Sequence, residues 1–215
     1  GRTNLTEGDV VLLSLLEHHA NIVPWHQLAE ERGIEVRWIP LTDDGCLDLT
    51  DLDHLLDGVT LVAVTAVSNV TGAIPPVRQL ADAAHAVGAL CLVDGSQYVP
   101  HLATDVTELG CDFLAFTGHK MCGPTGIGRQ IVTEEMLAEL QPFISGCDMI
   151  YRVTLEGTTF QDGPQRYEAG TPHIVEAFGS AGDSDWFDQS HIPDVYSSFF
   201  RSAPSPTQTT PLLSR

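Results

Sequence analysis

The sequence predicts an α/β fold, with a mostly parallel sheet and helices on both faces, and three observations lead there. Short β-rich runs alternate with amphipathic segments as far as Leu140. Several of those runs are apolar almost without a break, as strands covered on both faces must be. Stop residues stand between the segments, among them Gly33, Pro40 and Gly88.

The elements follow in order. A strand is expected over 10–13 and a helix over 22–32, which Gly33 stops. Residues 34–39 are rich in β-branched side chains and form a second strand, closed by Pro40. Asp43, Asp44 and Gly45 make a turn before a short helix over 49–56. Residues 60–67 read as a buried strand. Over 76–87, Val77, Leu80, Ala81, Ala84 and Val87 recur at helical spacing, with Pro76 in the first turn. Residues 89–93 and 112–116 are further buried strands. Residues 126–132 read as another, followed by a helix over 134–140. Repeated strand–helix–strand units imply right-handed crossovers. Ligands of such sheets sit at the carboxyl ends of the strands, so chemistry is sought in the residues just after each one.

Composition narrows the function. The chain has 215 residues, 43% hydrophobic and 18% charged, which suits one sizeable α/β domain or part of a larger enzyme. No apolar run approaches the roughly 20 residues of a membrane span, and no secretory signal stands at the start. A net charge of −19 repels a phosphate backbone, so nucleic acid is not an expected partner. An anionic cofactor still binds where local N–H groups and one lysine outweigh the distant field. The five cysteines show no Cys-x-x-Cys spacing, which argues against a disulfide framework and against zinc. Cys91 stands in an apolar run and reads as a buried small hydrophobe, and a cytoplasmic location is expected. From Gly182 no period is visible, and 202–211 is rich in Ser, Pro and Thr. The expected division is a cofactor-binding domain over 1–181 and a divergent, disordered tail over 182–215.

Two strand ends carry the chemistry. Asp94 follows the strand 89–93, and Lys120 follows the strand 112–116 in Thr117-Gly-His-Lys-Met-Cys-Gly-Pro-Thr-Gly-Ile-Gly128. Alone, the aspartate is an ordinary turn or cap residue and the lysine an ordinary surface charge. Together they suit pyridoxal phosphate (PLP), whose chemistry needs a lysine for a Schiff base and an acid to keep the pyridine nitrogen protonated. Thr117 and His119 offer donors for its phosphate. His18 and His19 follow the first strand, and from spacing alone a hydrogen-bonded loop histidine is the plainer alternative. Adjacent residues point apart and no other His or Cys completes a set, so no metal site is expected. Asn69, at the end of the third strand, reads equally as a turn residue before Gly72. Cys122 lies two residues from Lys120, where a cation lowers a thiol pKa, but packing in the Gly-rich turn is the favoured reading.

Read in order, five runs resemble the class V aminotransferase-fold PLP enzymes, and among them the group II (SUF-type) cysteine desulfurases and selenocysteine lyases. They are Glu17-His-His-Ala-Asn-Ile-Val-Pro-Trp25, Val67-Ser-Asn-Val-Thr-Gly72, Leu92-Val-Asp-Gly-Ser-Gln97, the Lys120 run, and Arg166-Tyr-Glu-Ala-Gly-Thr-Pro172. The resemblance implies the large domain of a PLP-dependent transferase of fold type I, incomplete here. It implies that Lys120 holds the cofactor and moves protons at the substrate α-carbon, and that Asp94 pairs with the pyridinium. His18 stacks on the ring and takes part in acid–base steps, while Asn69 and Gln97 bond the region of its phenolic oxygen. Thr117 and His119 bind the phosphate, and Thr171 reaches the phosphate in the partner subunit of a homodimer. The implied reaction takes sulfur from L-cysteine, leaving alanine and a persulfide that feeds iron–sulfur cluster assembly through an acceptor or scaffold protein.

The departures from the family are as specific. The Arg-x-Gly-His-His-Cys run that carries the nucleophile is missing, and Cys147 stands where glycine is usual. The Gly-Thr-Thr phosphate loop and the C-terminal small domain are absent, and His173 replaces an asparagine. The expectation is therefore a central portion, truncated at both ends, with little activity and poor solubility alone. Another class V enzyme, such as a selenocysteine lyase or an amino-acid epimerase, fits the same residues, as does an inactive PLP-binding fragment.

Overall fold

The computed structural model describes residues 5–180. Its elements are β1 (Val10–Ser14), α1 (Val23–Arg32), β2 (Glu35–Ile39), α2 (Leu52–Leu55), β3 (Val59–Thr65), α3 (Val77–Ala86) and β4 (Leu90–Asp94). There follow α4 (Val106–Leu109), β5 (Phe113–Thr117), β6 (Gly128–Val132), α5 (Glu134–Glu139), β7 (Ile150–Val153) and β8 (Thr158–Phe160). Residues 174–180 are also helical. The expected tail from residue 182 lies outside the described residues.

Six strands form one sheet in the order β2-β1-β3-β4-β5-β6. The first five are parallel, and alternation along each strand sends side chains to two faces. Val10, Leu12, Val62, Val64, Cys91, Val93, Leu114 and Phe116 point to one core, which α2, α3 and α4 cover with Leu52, Leu80, Ala84 and Leu109. Each fully buried Leu there contributes about 1.5–3 kcal/mol of transfer free energy. Val11, Leu13, Leu61 and Ala63 point the other way, onto Trp25 and Leu28 of α1. Helices thus lie on both faces, although unequally. Beside α1, Leu90 and Leu92 line a groove of about 330 Å³ with Trp25, Met136 and Leu140.

Local chemistry sets the ends. Pro24 opens α1, and Gly33 closes it at φ 72°, with its N–H on the Ala29 carbonyl. Asp105 caps α4 by accepting from the N–H groups of Thr107 and Glu108. The helix expected over 49–56 begins only at Leu52, because Asp48 takes the Thr50 N–H at 3.0 Å and holds a turn there. The third strand ends two residues earlier than expected, where the Thr65 hydroxyl turns onto the Val67 carbonyl at 2.9 Å.

One strand differs in kind. The run at 126–132 was expected to be buried, but β6 pairs antiparallel with β5, and its first three residues are exposed. Lying at the sheet edge, it has neighbours on one side only. The hairpin β7–β8 and the short α4 were not expected at all. Among the described residues, no helix is long and apolar enough to cross a membrane.

Candidate functional site

The sheet order decides which candidates meet. Strands β1, β3, β4 and β5 are consecutive neighbours and parallel. Their carboxyl ends therefore form one edge, lined in turn by the residues after Ser14, Thr65, Asp94 and Thr117. His18 and Asn69 follow the first two, Asp94 and Gln97 the third, and Thr117, His119 and Lys120 the fourth. Seven of the eight candidates share this edge.

Asp94 is the last residue of β4 rather than the first beyond it, and pairs with Thr65 on one side and Ala115 on the other. Its Oδ1 accepts from the Ser96 N–H at 2.9 Å. Its Oδ2 has no hydrogen-bond partner among the described residues. Glycine leaves room at the next position: a Cβ on Gly95 would stand 2.7 Å from Leu114 Cδ1 and 3.0 Å from Val99 Cγ2, so those side chains would have to shift. Gln97 is half-buried in the following turn, and its carbonyl meets His101 Nδ1 at 2.7 Å.

Lys120 closes a 3-10 turn over Gly118–Lys120 and is half-buried, with no ion pair among the described residues. A Cβ on Gly118 would come within 2.8 Å of Ile127 Cγ2, so glycine lets this turn press against the approach to β6. Thr117 Oγ1 and His119 Nδ1 meet at 2.8 Å. When the hydroxyl donates, the proton of the neutral ring sits on Nε2, leaving that N–H as the outward donor. Cys122, exposed, is the one non-glycine residue at positive φ (60°) among the described residues.

His18 is exposed and caps the 3-10 turn His19–Asn21, its Nδ1 accepting from the Ala20 N–H at 3.1 Å. That bond fixes the neutral tautomer with its proton on Nε2. The His19 ring lies 5.9 Å away, tilted by 36°. Asn69 stands exposed at the tip of a tight loop, which Ser68 holds by accepting from Val70 and Thr71, each at 3.3 Å. Thr171 is the candidate left off the strand ends. It is exposed in the turn before the helical residues 174–180. Those residues return toward the lysine turn, where Gly179 meets the Pro124 ring.

A residue without an assigned role sits beneath this edge. Glu17 is buried and accepts hydrogen bonds from Ser14, Asn21 and Thr65. Burial pushes its carboxyl up to about 7 against the pull of those donors, and the Asp94 charge adds a smaller push. Between Leu16 and His18 a glutamate reads as solvated, and only its place directly after a strand end hinted otherwise. Burial also pushes the Cys91 thiol up to about 12 and the Cys111 thiol up to about 11, so neither is a nucleophile at neutral pH.

The family model "Aminotransferase class-V" matches residues 1–197, and the chain belongs to that family. A cysteine desulfurase from Dickeya dadantii is 50% identical over 188 residues, covering 86% of this chain and 46% of that protein. One from Haloferax volcanii is 44% identical over 196 residues, covering 91% and 46%. The crystal structure of the cysteine desulfurase CsdA from Escherichia coli superposes with a TM-score of 0.85 at 35% identity, covering 92% of this chain and 49% of that one. The chain thus spans about half the length of the curated relatives it matches.

Proposed function

We propose that this chain is the cofactor-holding part of a PLP-dependent cysteine desulfurase of the group II (SUF-type) branch, with residues 1–181 as its PLP-binding domain. The observation that carries the reading is the placement of Asp94 and Lys120 at the ends of two neighbouring parallel strands, β4 and β5. His18 and Asn69 follow the next strands along the same edge.

The donor set fits the cofactor. Lys120 offers an amine without an ion-pair partner among the described residues, suited to an aldehyde. Asp94 offers an open Oδ2 to a protonated pyridine nitrogen. The Thr117–His119 pair presents an N–H to a phosphate. When bound, PLP supplies an electron sink for charge that develops at the substrate α-carbon. Asp94 holds a proton on the ring nitrogen through its negative charge. Lys120 Nζ anchors the group and carries a proton to and from the α-carbon. His18 would stack on the ring and take part in acid–base steps, and Asn69 and Gln97 would donate to the ring oxygen. Thr171 is assigned to the phosphate of the partner subunit in a homodimer.

L-cysteine is the proposed substrate, and an acceptor or iron–sulfur scaffold protein the proposed destination of the sulfur. The 215 residues hold no Arg-x-Gly-His-His-Cys run, so none of the five cysteines is assigned the accepting role, and little turnover is expected of this chain alone. Five free thiols suit a reducing cytoplasm.

Adding PLP to the purified chain tests the assignment. A yellow absorbance band should form and should be lost in Lys120→Ala. Equal spectra from the two proteins would refute the cofactor assignment. Measuring alanine and sulfide released from L-cysteine then separates an active protein from one that only binds.

A further inference from the structure

Among the described residues, Glu17 is the one buried carboxyl group, and none of the roles above uses it. Its partners come from three elements. Oε1 accepts from the Thr65 N–H at 2.8 Å and from the Ser14 hydroxyl, which closes a short contact. These are the last residues of β3 and β1. Oε2 accepts from Asn21 Nδ2 at 2.7 Å, and Asn21 Oδ1 accepts from the Trp25 indole N–H at 3.1 Å. An indole nitrogen can only donate, so it fixes which end of the Asn21 amide faces Glu17. Oε2 must therefore accept, and any proton on Glu17 sits on Oε1, shared with Ser14.

His18 stands inside this network. The residue before it and Asn21 after it are both buried and bonded, while its own ring is exposed. We propose that Glu17 is a positioning residue: its carboxyl clamps the turn 14–21 onto the end of β3 and so sets where the His18 ring stands along the edge that Asp94 shares. A carboxyl buried among donors from three elements is costly to desolvate, and its bonds fix the turn in one place. The inference rests on the reading of His18 as a residue that faces the cofactor.

The test uses the full 215-residue chain with labelled histidine, first without cofactor. The His18 imidazole signal is identified by its loss in His18→Gln. Glu17→Gln keeps the side-chain size but sets an amide N–H against donors. It should shift and broaden the His18 signal. Trp25→Phe removes the donor that orients Asn21 and should give the same change in smaller measure. A purely structural role for Glu17 would lower the melting temperature while leaving the His18 signal of the folded protein unchanged, and that result overturns the proposal. Should Glu17→Gln fail to fold, Trp25→Phe decides by the same criterion. In a second arm PLP is added, and Glu17→Gln should weaken the visible circular dichroism of the bound cofactor. Absence of PLP uptake by the wild type would sink the cofactor reading alone, because the first arm still judges the clamp.

Discussion

The stretches 5–132 and 141–180 both contain paired strands, yet only the first has a core of its own. In β1, β3, β4 and β5 most apolar side chains point into two layers of helix and are buried, with Leu90 and Leu92 of β4 only partly so. In the second stretch Phe143, Ile144, Tyr151, Val153, Leu155, Val175 and Phe178 are exposed, while Met149 is fully buried. It is anchored where the Tyr167 hydroxyl donates to the carbonyls of Leu137 and Leu140 and where Gly179 meets the Pro124 ring. Strand pairing alone therefore does not make a core. A pleated ribbon is stable only when something covers its apolar face.

The contrast can be broken most directly at Leu12, fully buried in the middle of β1. Leu12→Ala should cost about 2–5 kcal/mol in urea unfolding, because the filled layers around it relax only in part. A loss below about 1 kcal/mol would mean that the first stretch is packed as loosely as the second.

A smaller effect comes from the one acid that the first stretch buries. The Glu17 carboxyl titrates at about 7 when folded and near 4.5 when unfolded, so the native state holds its proton more tightly. Its contribution is fully present below pH 4.5 and is lost as pH rises toward 7. Taken as wild type minus Glu17→Gln, unfolding free energy should fall by about 2–3 kcal/mol from pH 5 to pH 8. The lowered aspartates, such as Asp105, are common to both proteins and cancel. A flat difference would show that the carboxyl is wetter than its neighbours suggest.

The smallest change is expected at Leu155, fully exposed in the turn between β7 and β8. Leu155→Ser should alter stability by no more than about 0.5 kcal/mol while raising the concentration at which the chain precipitates. A cost equal to that of Leu12→Ala would erase the distinction between the two stretches.

Much of the first stretch was legible because burial on both faces writes itself into sequence as unbroken apolar runs. The strand ends that carry Asp94 and Lys120 followed from those runs, although Asp94 and Thr117 proved to be the last strand residues rather than the first beyond. The direction of β6 was not legible, since a Gly-rich run with a few apolar residues serves either direction and only its pairing with β5 decides. The hairpin β7–β8 was missed for the opposite reason, because its apolar residues face outward and its strands are short. Glu17 escaped because a charge beside two histidines looks solvated. Its burial depends on Thr65, 48 positions away in the chain.

The spatial order β1-β3-β4-β5 is also the order in which these strands are synthesised. A chain leaving the ribosome can lay each strand against an edge that already exists, without waiting for a later segment to fill a gap between two earlier ones. Asp94 is in place before Lys120 emerges, and the acid and the amine come together only when the last parallel strand docks. Before that moment the edge carries the acid without the amine, so the pairing proposed for Asp94 and Lys120 can form only once β5 has docked.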